Sequence, residues 1–98
     1  MKSIPNTFTK FGERFVLLEH DEENRLLIYE RTNRAGVIRY ELMRYRRATT
    51  ANPAYRIEIG DYLLPGAEQW GIYGWTFISL DNARKKMQEL QSTRKVKA

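Results

Sequence analysis

The segment WGIYGWTFISLDNARKKMQEL, residues 70–90, decides the fold because strand spacing gives way to helix spacing inside it. Trp75 and Phe77 alternate with smaller or polar neighbours, which predicts a strand over 70–78. Ser79 is the expected N-cap of a helix. From there the apolar residues recur at helical spacing: Leu80, Ala83, Met87 and Leu90. We therefore expect a last strand followed directly by a C-terminal helix.

Upstream of this segment, short apolar runs separated by polar turns predict a series of strands. The runs at 14–20 and 25–31 flank a polar turn and indicate a hairpin. Further strands are expected at 37–47 and 55–59, and the run Leu63-Leu64-Pro65-Gly66 is expected to end in a turn. The predicted fold class is α+β: a curved antiparallel sheet of four to five strands with one C-terminal helix packed on one face. The other face of such a sheet is left to water or to a partner.

The 98 residues predict a single domain, with 1–11 as an extended N-terminal arm and 92–98 as a basic flexible tail. No apolar run approaches the roughly 20 residues that span a bilayer, and the N-terminus does not resemble a secretory signal. The chain contains no cysteine, which excludes disulfides and cysteine-ligated zinc. We expect a cytoplasmic protein without a membrane contact.

The longest candidate strand, 37–47, changes phase in its middle. Ile38, Tyr40 and Leu42 stand at even positions, whereas Met43 and Tyr45 stand at odd positions. A β-bulge near Leu42-Met43 reconciles the two halves, because one extra residue reverses which side chains point outward. With that bulge, one outer face is expected to carry Arg39, Glu41, Arg44 and Arg46.

Positive charge is concentrated in this strand and its preceding turn. Residues 31–47 contain six arginines and a single acid, Glu41, within a chain of net charge +5. Such asymmetry favours an anionic partner, and arginine suits planar recognition of phosphate or base edges. The alternative is an exposed arginine face that only solvates the sheet, with Tyr40 and Tyr45 pointing into the core.

The aromatic octet at 70–77 allows three interpretations: a core beneath the helix, an exposed stacking or docking surface, or a division between the two. We favour the division, with Trp75 and Phe77 in the core and Trp70 and Tyr73 nearer the rim. The residues expected to bind nucleic acid are therefore Arg39, Arg44, Arg46 and Arg47 for phosphates, Trp70 and Tyr73 for stacking, and Arg34, Lys85 and Lys86 as extensions of the patch.

The run EQWGIYGWTFISLDNARKKMQEL, residues 68–90, resembles the ending of small uncharacterised proteins of bacteriophages and bacterial genomes. The strand RYELMRYRR matches them more loosely, so the resemblance covers about a third of the chain. It implies no known activity. By element order alone, several strands followed by a helix, the chain is also similar to the Whirly and positive-cofactor families, which bind single-stranded DNA.

These observations predict a small non-enzymatic, phage-type module that binds nucleic acid and needs no cofactor or metal. The alternative is a protein-interaction factor that binds or inhibits a host protein, and an exposed sheet edge would also allow a homodimer. An enzyme using His20 beside its acidic neighbours is the last choice, because the sequence has no calcium-loop, zinc or nucleophile-elbow pattern.

Overall fold

The computed structural model of the chain describes residues 3–66 and 70–97. Within them the chain forms a five-stranded antiparallel sheet in the order β1-β2-β3-β4-β7, a two-stranded sheet of β5 and β6, and a helix, α1, that packs on the large sheet. The elements are β1 (Thr7–Lys10), β2 (Glu13–Asp21), β3 (Leu26–Thr32), β4 (Ile38–Arg44), β5 (Arg46–Arg47), β6 (Tyr62–Leu63), β7 (Gly74–Phe77) and α1 (Leu80–Lys97). The predicted fold class is confirmed.

The predicted hairpin is β2 and β3, joined by a turn that its own side chains hold. The Asp21 carboxylate accepts hydrogen bonds from the backbone and side-chain nitrogens of Asn24, at 3.1 and 2.7 Å. In the next turn, Asn33 Oδ1 accepts from the backbone nitrogens of Ala35 and Val37, each at 2.9 Å. Asn and Asp favour turns because their short side chains satisfy nearby backbone donors in this way.

The predicted bulge in β4 is wrong. Strands β3 and β4 pair residue for residue, from Leu26 opposite Arg44 to Thr32 opposite Ile38, with no shift. The sheet's irregularity lies in β2 instead, between Leu17 and Glu19. A bulge is needed only if one face of the sheet is exposed to solvent. Because β4 is covered on both faces, adjacent apolar residues on it both become buried without any phase change.

The face of the sheet that packs on α1, here called the helix face, carries an apolar cluster of Leu26, Ile28, Leu42, Ala83 and Met87. Trp75 and Phe77 pack against it, as predicted. Ser79 Oγ accepts from the backbone nitrogen of Asn82 at 3.3 Å, the expected N-cap contact. The expected stripe of α1 is confirmed, because Leu80 and Leu90 also join this cluster.

The opposite face, here called the second face, is not left open as expected. It carries a second buried cluster of Leu27, Tyr29, Met43 and Tyr45. Phe8 and Phe15 pack against it, with ring centroids 4.4 Å apart, and Tyr29 donates to the backbone oxygen of Pro5 at 2.7 Å. The segment predicted as an N-terminal arm therefore supplies the edge strand β1; its residues 1 and 2 lie outside the described part of the chain.

Two other expectations differ from the structure. The region expected to form a strand at 55–59 contains a 3₁₀ turn, Pro53–Tyr55, followed by Arg56 at a φ of 55°. Pro53 fixes a turn conformation, and the buried Asp61 carboxylate holds the loop by accepting from the Glu58 nitrogen at 2.9 Å.

The helix continues to Lys97, through most of the predicted tail, while residue 98 lies outside the description. No helix in the described ranges is long and apolar enough to cross a membrane.

Candidate functional site

Three of the predicted binding residues meet where β4 ends. Arg44, Arg46 and Tyr73 surround a cavity of about 470 Å³, here called the basic cavity, whose remaining wall is Tyr45, Leu63, Leu64 and Pro65. The backbone nitrogen of Arg44 donates to the Tyr73 oxygen at 2.8 Å, which fixes the turn before β7 to the end of β4. Pairing of Arg46 with Leu63 joins the apolar wall to the same place.

The described lining of the basic cavity carries positive charge only. Arg44 and Arg46 contribute that charge, and none of the described residues that line the cavity is acidic. The Nε atom of Arg44 is buried and has no hydrogen-bond partner within the part of the chain that the structure describes. A buried charged donor without a partner costs free energy, and an anion in the cavity would remove that cost. Arg46 is exposed, and neither arginine forms an ion pair with a described acid.

The two tyrosines of the cavity differ in what they offer a ligand. Tyr73 is 43% exposed, so its ring presents a free surface. Tyr45 is buried, and its hydroxyl lies 2.8 Å from His20 Nε2. Burial, followed by its contact with Glu22, raises the pKa of Tyr45 to about 12, so it remains a neutral part of the wall. Tyr73 is therefore the ring available for stacking.

Arg47 does not line the basic cavity. Its guanidinium forms an ion pair and hydrogen bond with Glu22, donates to the Gly60 oxygen at 3.2 Å and lies 5.3 Å from the centre of the Tyr45 ring. The bond to Arg47 holds the pKa of Glu22 below its ordinary value and raises that of Arg47. This arginine ties the small sheet to the β2–β3 turn.

The other predicted extensions lie apart from the cavity. Because β4 has no bulge, Arg39 lies on the second face with Glu41 and Met43. Arg44, at an even position, lies on the opposite face of the strand. The expected single arginine face is therefore wrong. Arg34 lies in the β3–β4 turn against Gly12. Lys86 lies 5.5 Å from the centre of the Trp75 ring and bonds to Glu89, and Lys85 is exposed on the outside of α1.

Trp70 lines a neighbouring cavity of about 290 Å³ on the second face, here called the aromatic cavity. The two cavities share Leu64 and Pro65 as a common wall. The Trp70 indole lies against Gly74 and donates to Thr76 Oγ1 at 2.9 Å. Trp70 and Tyr73 are thus on the rim, as predicted, but at two adjoining cavities.

His20 shows no metal-site geometry. Besides Tyr45, it lies 3.8 Å from Glu22. Across residues 3–66 and 70–97, no three potential metal-ligating side chains of His, Cys, Asp or Glu converge. The neighbouring Asp21 is held by Asn24, which keeps the pKa of its carboxyl below the ordinary value.

Sequence reasoning missed the residues that give the site its shape. At Leu63, Leu64 and Pro65 the sequence predicts only a run that ends in a turn, and no part of a binding site. Glu41, Arg31 and Phe15, which line the aromatic cavity, were not singled out as functional. One signal was present: Glu41 is the lone acid among the six arginines of 31–47. In the structure this acid pairs with one of those arginines, Arg31.

Comparison with known proteins adds no relative: no protein-family model, curated protein or solved structure matches the chain. The resemblance of residues 68–90 to bacteriophage and bacterial proteins stays a prediction.

Proposed function

We propose that this protein is a non-enzymatic module that binds single-stranded nucleic acid at the basic cavity. One observation carries the proposal: Arg44, Arg46 and Tyr73 converge on one cavity, and no acid is among the described residues that line it. Arginines that neutralise phosphates, next to an aromatic ring that stacks on bases, are the usual means of holding an unpaired strand.

Arg44 is stronger support for an anionic ligand than a positively charged surface would be by itself. Its Nε is buried and unbonded, while its backbone is fixed by the β3 pairing and by the bond to Tyr73. A phosphate oxygen would accept from this donor, and arginine presents a planar set of donors to it. Arg46, which is exposed, would contact a second phosphate along the strand.

Tyr73 favours a single strand over a duplex. Its exposed ring needs an unstacked base face, which a duplex does not offer, whereas bases of a single strand are free to stack on it. The concave shape of the cavity, between Tyr73 and the Leu63–Pro65 wall, also suits an extruded nucleotide better than a rigid duplex.

The first test is a titration with a labelled oligothymidylate of about 12 nucleotides, within the site sizes of small single-strand-binding domains. We expect the Arg44→Glu, Arg46→Glu variant to lose at least about tenfold in affinity. Loss of two phosphate contacts reduces the salt dependence as well: those contacts alone account for about a sevenfold weakening between about 50 and 200 mM salt.

The matched control is Arg14→Glu, Lys85→Glu, which changes the net charge by the same amount at exposed residues that line neither cavity. Thermal melting checks that both variants are folded. Equal losses in the two variants would mean that only net charge matters, and the proposal would be wrong. Absence of binding by the unmodified protein at low salt would also reject it.

A second variant pair tests stacking separately from charge. Tyr73→Phe keeps the ring and Tyr73→Ala removes it, so we expect the first to bind like the parent and the second to lose about 1–3 kcal/mol per stacked base. Fluorescence anisotropy at fixed salt measures the difference. Equal affinity of both variants would exclude Tyr73 as a stacking residue.

A protein partner is the second candidate function, favoured by the edge of the large sheet. Strand β7 is an edge strand, and the exposed Ile72 and Ile78 flank it, with 63% and 76% of their surface accessible. Edge strands pair readily with other chains, including a second copy of this one. Binding through this edge would change little with salt and would be lost on replacing Ile72 and Ile78 by lysine.

A further inference from the structure

The aromatic cavity beside the basic cavity contains a buried carboxylate. Its walls include the rings of Phe8, Phe15 and Trp70. Glu41 of β4, which is only 3% exposed, also lines this cavity. A volume of about 290 Å³ is at the low end of ligand pockets, which suits a flat group such as one nucleobase.

The two oxygens of Glu41 are in different states. Oε2 accepts a hydrogen bond from Thr76 Oγ1 at 2.7 Å, and Thr76 in turn accepts from Trp70. Oε1 lies 3.1 Å from Arg31 Nε, within ion-pair distance. That N–H is not directed at it, however, and Oε1 accepts no hydrogen bond from the described residues. A carboxylate has about four acceptor positions, so most of this one's capacity is unused.

The charges of the cavity select the kind of ligand. Lys10 and Arg31 line it together with Glu41, so the described side chains of its lining sum to one positive charge. A cation would be repelled by that balance, although aromatic walls and a carboxylate otherwise suit one. A ligand with a neutral planar ring would suit the aromatic walls, and N–H donors on that ring would suit Glu41. A negatively charged substituent at the rim of the cavity would suit Lys10 and Arg31.

Guanine best fits the buried carboxylate oxygen that accepts no hydrogen bond, Glu41 Oε1. Its Watson–Crick edge presents two adjacent donors, N1–H and the 2-amino group, which pair with the two oxygens of one carboxylate. The other bases present at most one donor group at this edge beside an acceptor, and that acceptor would face the carboxylate unfavourably. Base edges of unpaired strands are commonly recognised in such pockets.

We infer that the aromatic cavity binds a guanine base, stacked on its aromatic walls and held by Glu41. This inference rests on the proposed function and gives it base preference. Arg31 is one-third exposed and its second acid contact, with Glu13, is long at 3.6 Å. In the bound state that we infer, this guanidinium would turn from Glu41 toward the phosphate of the nucleotide, and Oε1 would be uncovered. The shared Leu64–Pro65 wall lets one strand place a base here and its next phosphate at Arg44.

The test compares an oligothymidylate with the same oligomer carrying three separated guanines, and with a third in which inosine replaces guanine. We expect the guanine oligomer to bind about tenfold tighter than the oligothymidylate. Inosine, which lacks the 2-amino donor, should fall between them. Glu41→Gln, which replaces one acceptor oxygen by a donor, should abolish the guanine preference and leave oligothymidylate affinity within about twofold. Glu23→Gln, at an exposed acid outside both cavities, should change neither.

A second measurement separates this inference from the proposed function. Guanosine monophosphate should quench the Trp70 fluorescence of a Trp75→Phe protein, and Glu41→Gln should weaken that binding. Oligothymidylate binding without any guanine preference would overturn the inference and leave the proposed function standing. Binding of guanosine monophosphate without binding of any oligonucleotide would overturn the proposed function and leave this inference standing. A guanine preference that survives Glu41→Gln, or binding of tetramethylammonium in place of the nucleotide, would overturn the inference.

Discussion

The two faces of the five-stranded sheet are built from alternate residues of the same strands, but they contain different kinds of side chain. On the helix face, Leu42 meets Ala83 and Met87 of α1 in an apolar cluster. On the second face, the adjacent Met43 lines a cavity that also contains the buried Glu41 and the Arg31 guanidinium. One face is covered by a helix and the other by a loop segment that leaves space.

This difference suggests a division of labour. A regular helix fills a sheet face at close to crystal-like density, which stabilises the domain. The Leu63–Pro65 segment covers only part of the second face. It leaves the aromatic cavity there and forms one wall of the basic cavity at the end of β4. In the proposed function, the buried Glu41 and its one-third-exposed partner Arg31 take part in recognition on this face.

The largest expected effect distinguishes the two faces through neighbouring residues of β4. Leu42→Ala should reduce the free energy of unfolding by about 2–5 kcal/mol, because it leaves a void beneath α1. Met43→Ala should cost less, since Met43 already borders a cavity that can accept water or collapse. Urea denaturation of both variants measures the difference.

In the folded protein, Leu42→Ala should leave nucleic-acid affinity unchanged, while Met43→Ala should alter it. Similar stability losses, or a binding defect confined to Leu42→Ala, would contradict the assignment of stability to one face and binding to the other.

A smaller effect is expected at Gly74, where β7 meets the Trp70 ring. A Cβ at this position would collide with the Trp70 side chain. We expect Gly74→Ala to destabilise the protein by about 1–3 kcal/mol through overpacking, and to displace Trp70 from the aromatic cavity. In a Trp75→Phe background, a red shift of Trp70 emission would report the displacement. An unchanged spectrum would show that Trp70 does not rest on Gly74.

The smallest expected effect is a pH dependence at the tie between the small sheet and the β2–β3 turn. The pKa of Glu22 is lowered from its ordinary value of 4.5 by Arg47. Its contribution to stability is therefore present above pH 4.5 and is lost as pH falls through the lower pKa of the folded state. Because Glu22 is half exposed, this contribution is at most about 1 kcal/mol.

Thermal melting between pH 5 and 3 should show a smaller decline for Glu22→Gln than for the parent protein. Identical slopes would mean that the Glu22–Arg47 pair contributes nothing to stability.

Local sequence patterns predicted those elements whose conformation depends mainly on their own residues. The stripe from Leu80 to Leu90, the Ser79 cap and the β2–β3 hairpin all follow from spacing and turn chemistry. The β4 bulge failed because alternation reports one buried face, and β4 has two. Residues 55–59 failed because Pro53 and Asp61 organise that loop, and their effect lies outside the alternating run itself.

The candidate site was only partly predictable. Arg44, Arg46 and Tyr73 were chosen for residue type, and the structure places them around one cavity. Arg39 and Arg47 were chosen for the same reason and lie elsewhere. Arg39 is on the second face because β4 has no bulge, and Arg47 pairs with Glu22 of the β2–β3 turn, a contact distant in sequence. The apolar wall at 63–65 depends on a small sheet formed with β5, a long-range pairing that no local pattern reports.

The most direct test of the account uses the two tryptophans, since Trp70 lines a cavity on the second face and Trp75 packs on the helix face. Their indole N–H signals in a ¹⁵N–¹H spectrum, assigned with Trp75→Phe, should be followed during titration with the guanine-containing oligomer. Binding at the second face predicts a saturable shift of the Trp70 signal and none for Trp75. A shift of Trp75 alone, or saturable binding that moves neither signal, would contradict it.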